Sequence, residues 1–408
     1  VSTALDPPVG ADWDRWQRRA LAAAAAGAVL FVVVAIVRYF AEGLHSPTQL
    51  FLSYLVAFNF WLSVPLGCLV LLMIQYLTGG AWGMLLRGVL QSGSRTLPLL
   101  AVLFAPVVVG LFLGAASLYP WARPLDQVAE GKALEELREK AADWLNAPFF
   151  LVRAVVYFAC WLVVTYLLDR WSDRLAQPGG TANRRRLPML SGPGLVLYGV
   201  TITLAAVDWS MSLEPYWYST IYPVLYAVGQ ILTAFAFAVV VLTLLARGPL
   251  AGVVRPQHLR DLGSLMLTFV MFWAYMSFSQ FLLIWVGNLP EEIPWYLRRT
   301  RGGWQWVALA LALLHFAVPF VLLLLRGVKE DGPWLMAVAG WLLLVRFLDV
   351  FWWIEPAYPH DGQYLFWLLD VGAVVGVGGV WVWWFVSLLR RGPLLPPEAS
   401  FAEGGGHA

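Results

Sequence analysis

Residues 220–246 read TIYPVLYAVGQILTAFAFAVVVLTLLA, without one charged side chain. About 20 apolar residues in a helix cross a hydrocarbon core of roughly 30 Å. This stretch is long enough, and runs like it recur along the chain. We place ten spans, at 20–40, 50–77, 96–119, 148–169, 191–209, 220–246, 261–288, 304–326, 334–354 and 364–389. The expected fold is an all-α polytopic membrane protein. One membrane domain covers 20–390, between an N-terminal segment 1–19 and a flexible, Pro/Gly-rich tail 391–408. The first run is too long for the apolar core of a signal peptide, and Val37–Phe40 offers no small-residue cleavage site, so it reads as a retained span.

Composition agrees. Of 408 residues, 60% are hydrophobic and 13% charged, with mean hydropathy +0.69. A soluble domain carries about 25% charged residues. These values exclude a soluble enzyme, a secreted disulfide scaffold and a disordered chain. A net charge of +2 leaves no basic footprint for nucleic acid. Cys68 and Cys160 lie in apolar runs with no C-x-x-C, so neither an iron–sulfur nor a zinc site is expected. Of the five histidines, only His315 lies inside a run, and no haem of this chain's own is expected.

Basic residues set the sidedness. Seventeen Lys and Arg fall on the side of the N-terminus, eight on the opposite side, and Arg153 and Arg346 within spans. Both termini are therefore expected in the cytoplasm. Two connections are longer than the rest. The outer insert 120–147 carries Leu125, Val128, Leu134, Leu137 and Leu145 at near-helical spacing. It reads as an amphipathic helix on the membrane or a partner, or as a solvated connector. The connection 170–190 carries Arg184, Arg185 and Arg186, a topology signal that also suits anionic lipid or a partner.

Polar groups inside the bilayer are costly, so a retained one faces the bundle interior. Arg346 and Asp349 stand i,i+3 on one helix face, as a structural ion pair or as a proton-relay carboxylate beside its tuning cation. Glu355 follows and is expected near the outer surface. His315 sits mid-span, one turn before Pro319, as a packing histidine or a proton relay at a kink. Asp370 begins the last span, ahead of Gly372, Gly376, Gly378 and Gly379, which permit close helix contact. Asp169 and Asp261 belong to the cytoplasmic side, and Asp208 and Glu214 to the outer side. Ordered by depth, Asp208, Glu214, Asp261, His315, Arg346, Asp349, Glu355 and Asp370 are the proton-path candidates.

Two segments carry a resemblance. Asp208-Trp-Ser-Met-Ser-Leu-Glu214-Pro-Tyr-Trp-Tyr-Ser-Thr220 resembles a stretch of the ActF-type membrane subunits of bacterial alternative complex III, a quinol:cytochrome c oxidoreductase. Phe272 to Trp285, followed by Asn288-Leu-Pro-Glu-Glu292, is similar to a second signature of that family, and His315 to Pro319 fits the next span. The likeness covers roughly 190–356. It implies an NrfD/PsrC-like fold, with two four-helix bundles (spans two to five and six to nine) beside flanking spans one and ten. It implies a subunit of the bacterial cytoplasmic membrane with no redox centre of its own, contributing a proton path. Haem, iron–sulfur and menaquinol would belong to partner subunits: an ActC-like quinol-binding subunit, iron–sulfur and multihaem subunits, with a possible oxidase supercomplex. The family often has His after Glu-Pro, where this chain has Tyr216. That leaves any relay through that position without an imidazole. A structural scaffold, a quinol-binding subunit and, more remotely, a stand-alone transporter are the other readings.

Overall fold

A computed structural model describes residues 12–41, 47–175, 183–358 and 366–395. They form helices and connecting turns, with no strand among them. Ten helical stretches are long and apolar enough to cross a membrane. The chain is an all-α, multi-pass membrane protein.

The spans are α1 (Trp13–Ala41), α2 (Thr48–Thr78), the broken trio α3 (Ala81–Ser94), α4 (Leu97–Leu103) and α5 (Ala105–Leu111), then α7 (Ala147–Leu175) and α8 (Asn183–Trp209). They continue with α9 (Tyr222–Leu245), α10 (Pro256–Gly287), α12 (Trp304–Ala310) joined to α13 (Val318–Leu324), α15 (Gly332–Ile354) and α16 (Phe366–Arg391). Short helices α6 (Gly131–Asp143), α11 (Ile293–Arg299) and α14 (Arg326–Glu330) lie in connections. Helices α2, α3–α5, α7 and α8 pack as one four-helix group, and α9, α10, α12–α13 and α15 as a second. The two groups meet through α2 and α9, the most deeply buried spans. Neither helix carries a charged side chain, as suits a helix enclosed on every side.

Helices α1 and α16 run together along the flank, and α16 leans on α2. Glycines make this pairing possible. A Cβ on Gly27 would stand 2.2 Å from the Gly376 nitrogen, and one on Gly379 would stand 2.3 Å from the Ala24 nitrogen. The close contact expected of the glycine run is therefore made, and its partner is α1. Arg390 Nη1 lies 2.8 Å from Asp14 Oδ1, so the first and last helices begin and end at the same face, here the terminal face.

The third span differs from its expected 96–119. The membrane-length stretch is 82–111, and 112–119 turn away in short 3-10 bends. Pro98 and Pro106 sit in the first turns of α4 and α5, where a missing N–H costs nothing, and so restart the helix twice. Arg87 and Arg95, which the expected spans leave in a connection on the N-terminal side, are inside this stretch. Arg87 Nη2 donates to Ser172 Oγ at 2.8 Å, and Arg95 Nε meets Asp169 at 3.0 Å, both on α7.

The insert 120–147 contains one helix, α6, and two 3-10 turns, the second of which begins at Leu125 and is capped by Val128. Leu137 is fully buried in the chain's own core. Lys140 Nζ donates to the Pro215 carbonyl at 2.9 Å, and the Tyr216 hydroxyl donates to Ala133 O at 3.2 Å. The apolar side of the insert thus covers the loop after α8, at what we call the insert face. Arg185 and Arg186 are exposed on the first turn of α8. The tail beyond 395 and His45, His360 and His407 lie outside the described residues.

Candidate functional site

The acids singled out by sequence fall into separate surroundings. Asp208, fully buried, is saturated with donors. Arg153 grips it through two nitrogens at 2.8 Å each, the Tyr157 hydroxyl donates at 2.8 Å and Trp144 Nε1 at 2.9 Å. A two-pronged guanidinium–carboxylate bond is among the strongest polar contacts available. It fastens α8 to α7 and to the end of the insert. Glu214 meets Arg298 and Arg299, each at 2.9 Å. Arg299 is fully buried and stacks over Trp295 at 3.7 Å. Burial pulls its pKa down, and the Glu214 carboxylate pulls it back up. Asp261 is exposed on the first turns of α10.

Glu355 stands at the end of its span and is fully buried within the chain. The 3-10 turn that follows α15 folds it back against α2, where Gln49 Nε2 donates to both its oxygens at 3.2 and 3.0 Å. Asp370, also fully buried, faces Glu355 and Ser53 at the junction of α2, α15 and α16. The structure therefore pairs two carboxylates that the sequence left on different helices.

A further buried site centres on Asp349. Arg346 bonds it within α15, Trp353 Nε1 donates at 2.9 Å from one turn on, and Trp273 Nε1 donates at 3.0 Å from α10. The Arg346 guanidinium lies flat against Gly229 of α9, where a Cβ would stand 2.1 Å from Nη2. His315, fully buried, sets its ring edge-on to Trp273, with centroids 3.9 Å apart. Neither ring nitrogen has a hydrogen-bond partner among the described residues. The backbone there is wound as a π-helix over Leu311–Ala317. In an α-helix the Pro319 ring would strike the carbonyl of residue 315, and a wider turn avoids that clash.

Helix α9 extends the site. Tyr222, Tyr226 and Gln230 are spaced by four and share one face. Tyr226 donates to Asn59 Oδ1, and Tyr198 donates to Gln230 Oε1 at 2.8 Å. Tyr222 lies beside Ser210, Arg299 and Arg346. A cavity of about 10 Å³, with room for roughly one water, touches Asn59, Ser63, Ser210, Tyr226 and Arg346. The polar line thus runs from Glu214 and Arg299 at the insert face, through Tyr222, to Arg346 and Asp349, and across Trp273 to His315. Sequence reasoning missed Tyr222, Tyr226 and Trp273. The four-residue spacing on α9 was a usable signal for the tyrosines, whereas nothing local marked Trp273.

The chain matches no family model and no curated protein. Among the described residues no group of three or more His, Cys, Asp or Glu side chains is placed to hold a metal ion.

Proposed function

We propose that this chain is a membrane subunit, with no cofactor of its own, of a bacterial respiratory quinol:acceptor oxidoreductase, and that it provides a path for protons. One observation carries the reading: a row of polar side chains from Glu214 to Asp349, with the buried His315 set against Trp273 beyond it, inside helices that are otherwise apolar. Such lines are expensive in a bilayer and are kept for ion or proton movement. The resemblance of 208–220 and 272–292 to ActF-type subunits supports the setting. In that setting, both termini are cytoplasmic, and partners of ActC, iron–sulfur and multihaem type carry the quinol and the electrons. His315 would take and release the proton at the inner end of the line. Asp349 would hold a charge whose strength Arg346 controls.

A scaffold reading has its own support. Asp208 and Asp349 each receive three or more donors, as structural anchors do. One experiment separates the two readings. With Asp349→Asn and His315→Leu combined, the assembled complex in vesicles should release fewer protons per quinol oxidised. Unchanged stoichiometry in a fully assembled complex sinks the proton path and leaves the scaffold.

A further inference from the structure

Helices α7 and α8 lie antiparallel against each other in the first helix group. Trp161 Nε1 donates to Thr201 Oγ1 at 2.8 Å and fixes their register. Counted from that bond, Arg174 on α7 and Arg185 and Arg186 on α8 all stand roughly 20–24 Å along the axis, near the terminal face. Arg170 is one turn nearer. All four side chains are exposed.

Their charge is not neutralised within the described residues. Asp169 and Asp173, the acids beside them, are both held by Arg95 at 3.0 Å. Arg170 Nη1 donates to the Tyr166 hydroxyl at 2.9 Å, and among the described residues no carboxylate meets Arg170, Arg174, Arg185 or Arg186. Five arginines against two aspartates leave this end of the helix pair at +3. Like charges crowded together favour an anion between them. Guanidinium forks match phosphate oxygens two at a time.

Below the arginines the surface is apolar. Val155, Val163 and Tyr166 on α7, and Met189, Val196 and Val200 on α8, are exposed within membrane spans. A Cβ on Gly192 or Gly199 would meet nothing within 4 Å, so the α8 surface is shallow there and leaves room for a hydrocarbon chain. A soluble phosphate gains nothing from that surface, whereas a lipid uses both parts. The arginines stand in two pairs, one per helix, and packed helices lie about 8–10 Å apart. Two phosphates joined by a glycerol can serve both pairs at once.

We propose that this end of the α7–α8 pair binds an anionic phospholipid with two phosphates, of the cardiolipin class. Arg170 and Arg174 hold one phosphate, Arg185 and Arg186 hold the other, and the acyl chains lie along the exposed faces below. The site is separate from the polar row that ends at Asp349 and does not depend on proton transfer.

The test titrates the full chain, in dodecyl maltoside micelles, with tetraoleoyl cardiolipin and reads occupancy by native mass spectrometry. One tightly held lipid per chain is expected. Dioleoyl phosphatidylglycerol, with a single phosphate, should bind roughly thirtyfold more weakly, because it engages one arginine pair only. Arg170→Gln/Arg174→Gln and Arg185→Gln/Arg186→Gln should each cost about the same factor and erase the preference for cardiolipin. These positions are exposed, so thermal unfolding should match wild type. Arg247→Gln/Arg391→Gln removes two exposed charges elsewhere and should leave binding unchanged. An equal loss in all three double variants overturns the inference, since the attraction would then be to net charge alone. Equal affinity for phosphatidylglycerol rejects the two-phosphate site. Deacylated cardiolipin, the headgroup without chains, should bind poorly. If it binds as tightly as the intact lipid, the site takes free phosphates and the proposal fails.

Discussion

Replacing Gly229 by Ala is the sharpest test of the packing around Asp349. In the middle of a helix this change ordinarily stabilises, by about 0.5–1 kcal/mol. Here the new methyl would stand 2.1 Å from Arg346 Nη2, 2.3 Å from Cζ and 2.9 Å from Nε. The whole guanidinium plane blocks it, not one flexible tip. Arg346 is 95% buried and tied to Asp349, so it cannot swing to solvent. Overpacking of this kind costs about 1–3 kcal/mol. If the guanidinium leaves Asp349, breaking the buried pair raises the loss to about 3–5 kcal/mol. We therefore expect Gly229→Ala to destabilise by at least about 1 kcal/mol, against the sign of its helix propensity. Gly199→Ala is the control, because a Cβ there meets nothing within 4 Å, and it should be neutral or mildly stabilising. The assay is reversible unfolding in mixed micelles, with each variant also built on Arg346→Leu/Asp349→Leu. In that background the Gly229→Ala penalty should vanish, since the blocking group is gone. Wild-type stability for Gly229→Ala, or a penalty that survives removal of Arg346, refutes the geometry.

Other outcomes follow from the same reasoning. Glu214→Gln strips the carboxylate from the fully buried Arg299 and should cost about 3–5 kcal/mol in unfolding measurements. Arg298→Ala breaks a pair whose arginine is half exposed and should cost less than about 1 kcal/mol. Gly379→Val drives a side chain into the α1 backbone, which has no rotamer to yield, so α1 should loosen from α16 and become accessible to limited proteolysis while the remaining spans stay protected. Asp208→Asn removes the charge that Arg153 grips from two sides, and cysteine cross-linking between α7 and α8 should fall in yield.

The ion pair of Arg346 with Asp349 was legible because a three-residue spacing fixes neighbours on one helix. The glycine run of α16 was legible as a contact surface for the same reason, though not its partner. The burial of Glu355 was not legible because a 3-10 turn, invisible in the apolar pattern, folds it back onto α2. The third span was misplaced because Arg87 and Arg95 read as loop charges until their α7 partners were known.

By itself the sequence determined that this chain crosses a membrane about ten times, because a bilayer core demands long uncharged runs and tolerates few exceptions. It also marked several of the charges that are those exceptions, Arg153, Arg346, Asp349 and Asp370, though not Arg87 and Arg95. The tertiary structure alone decided what each one meets: Trp273 with Asp349, Gly229 with Arg346, Gln49 with Glu355 and Asp370 with Glu355. The physical reason lies in the central helices. A helix without charges and apolar over most of its surface has little pattern to say which face turns inward. Its rotation is set by how side chains interlock and by the need of a buried charge or N–H for a partner, and both are properties of the assembled bundle.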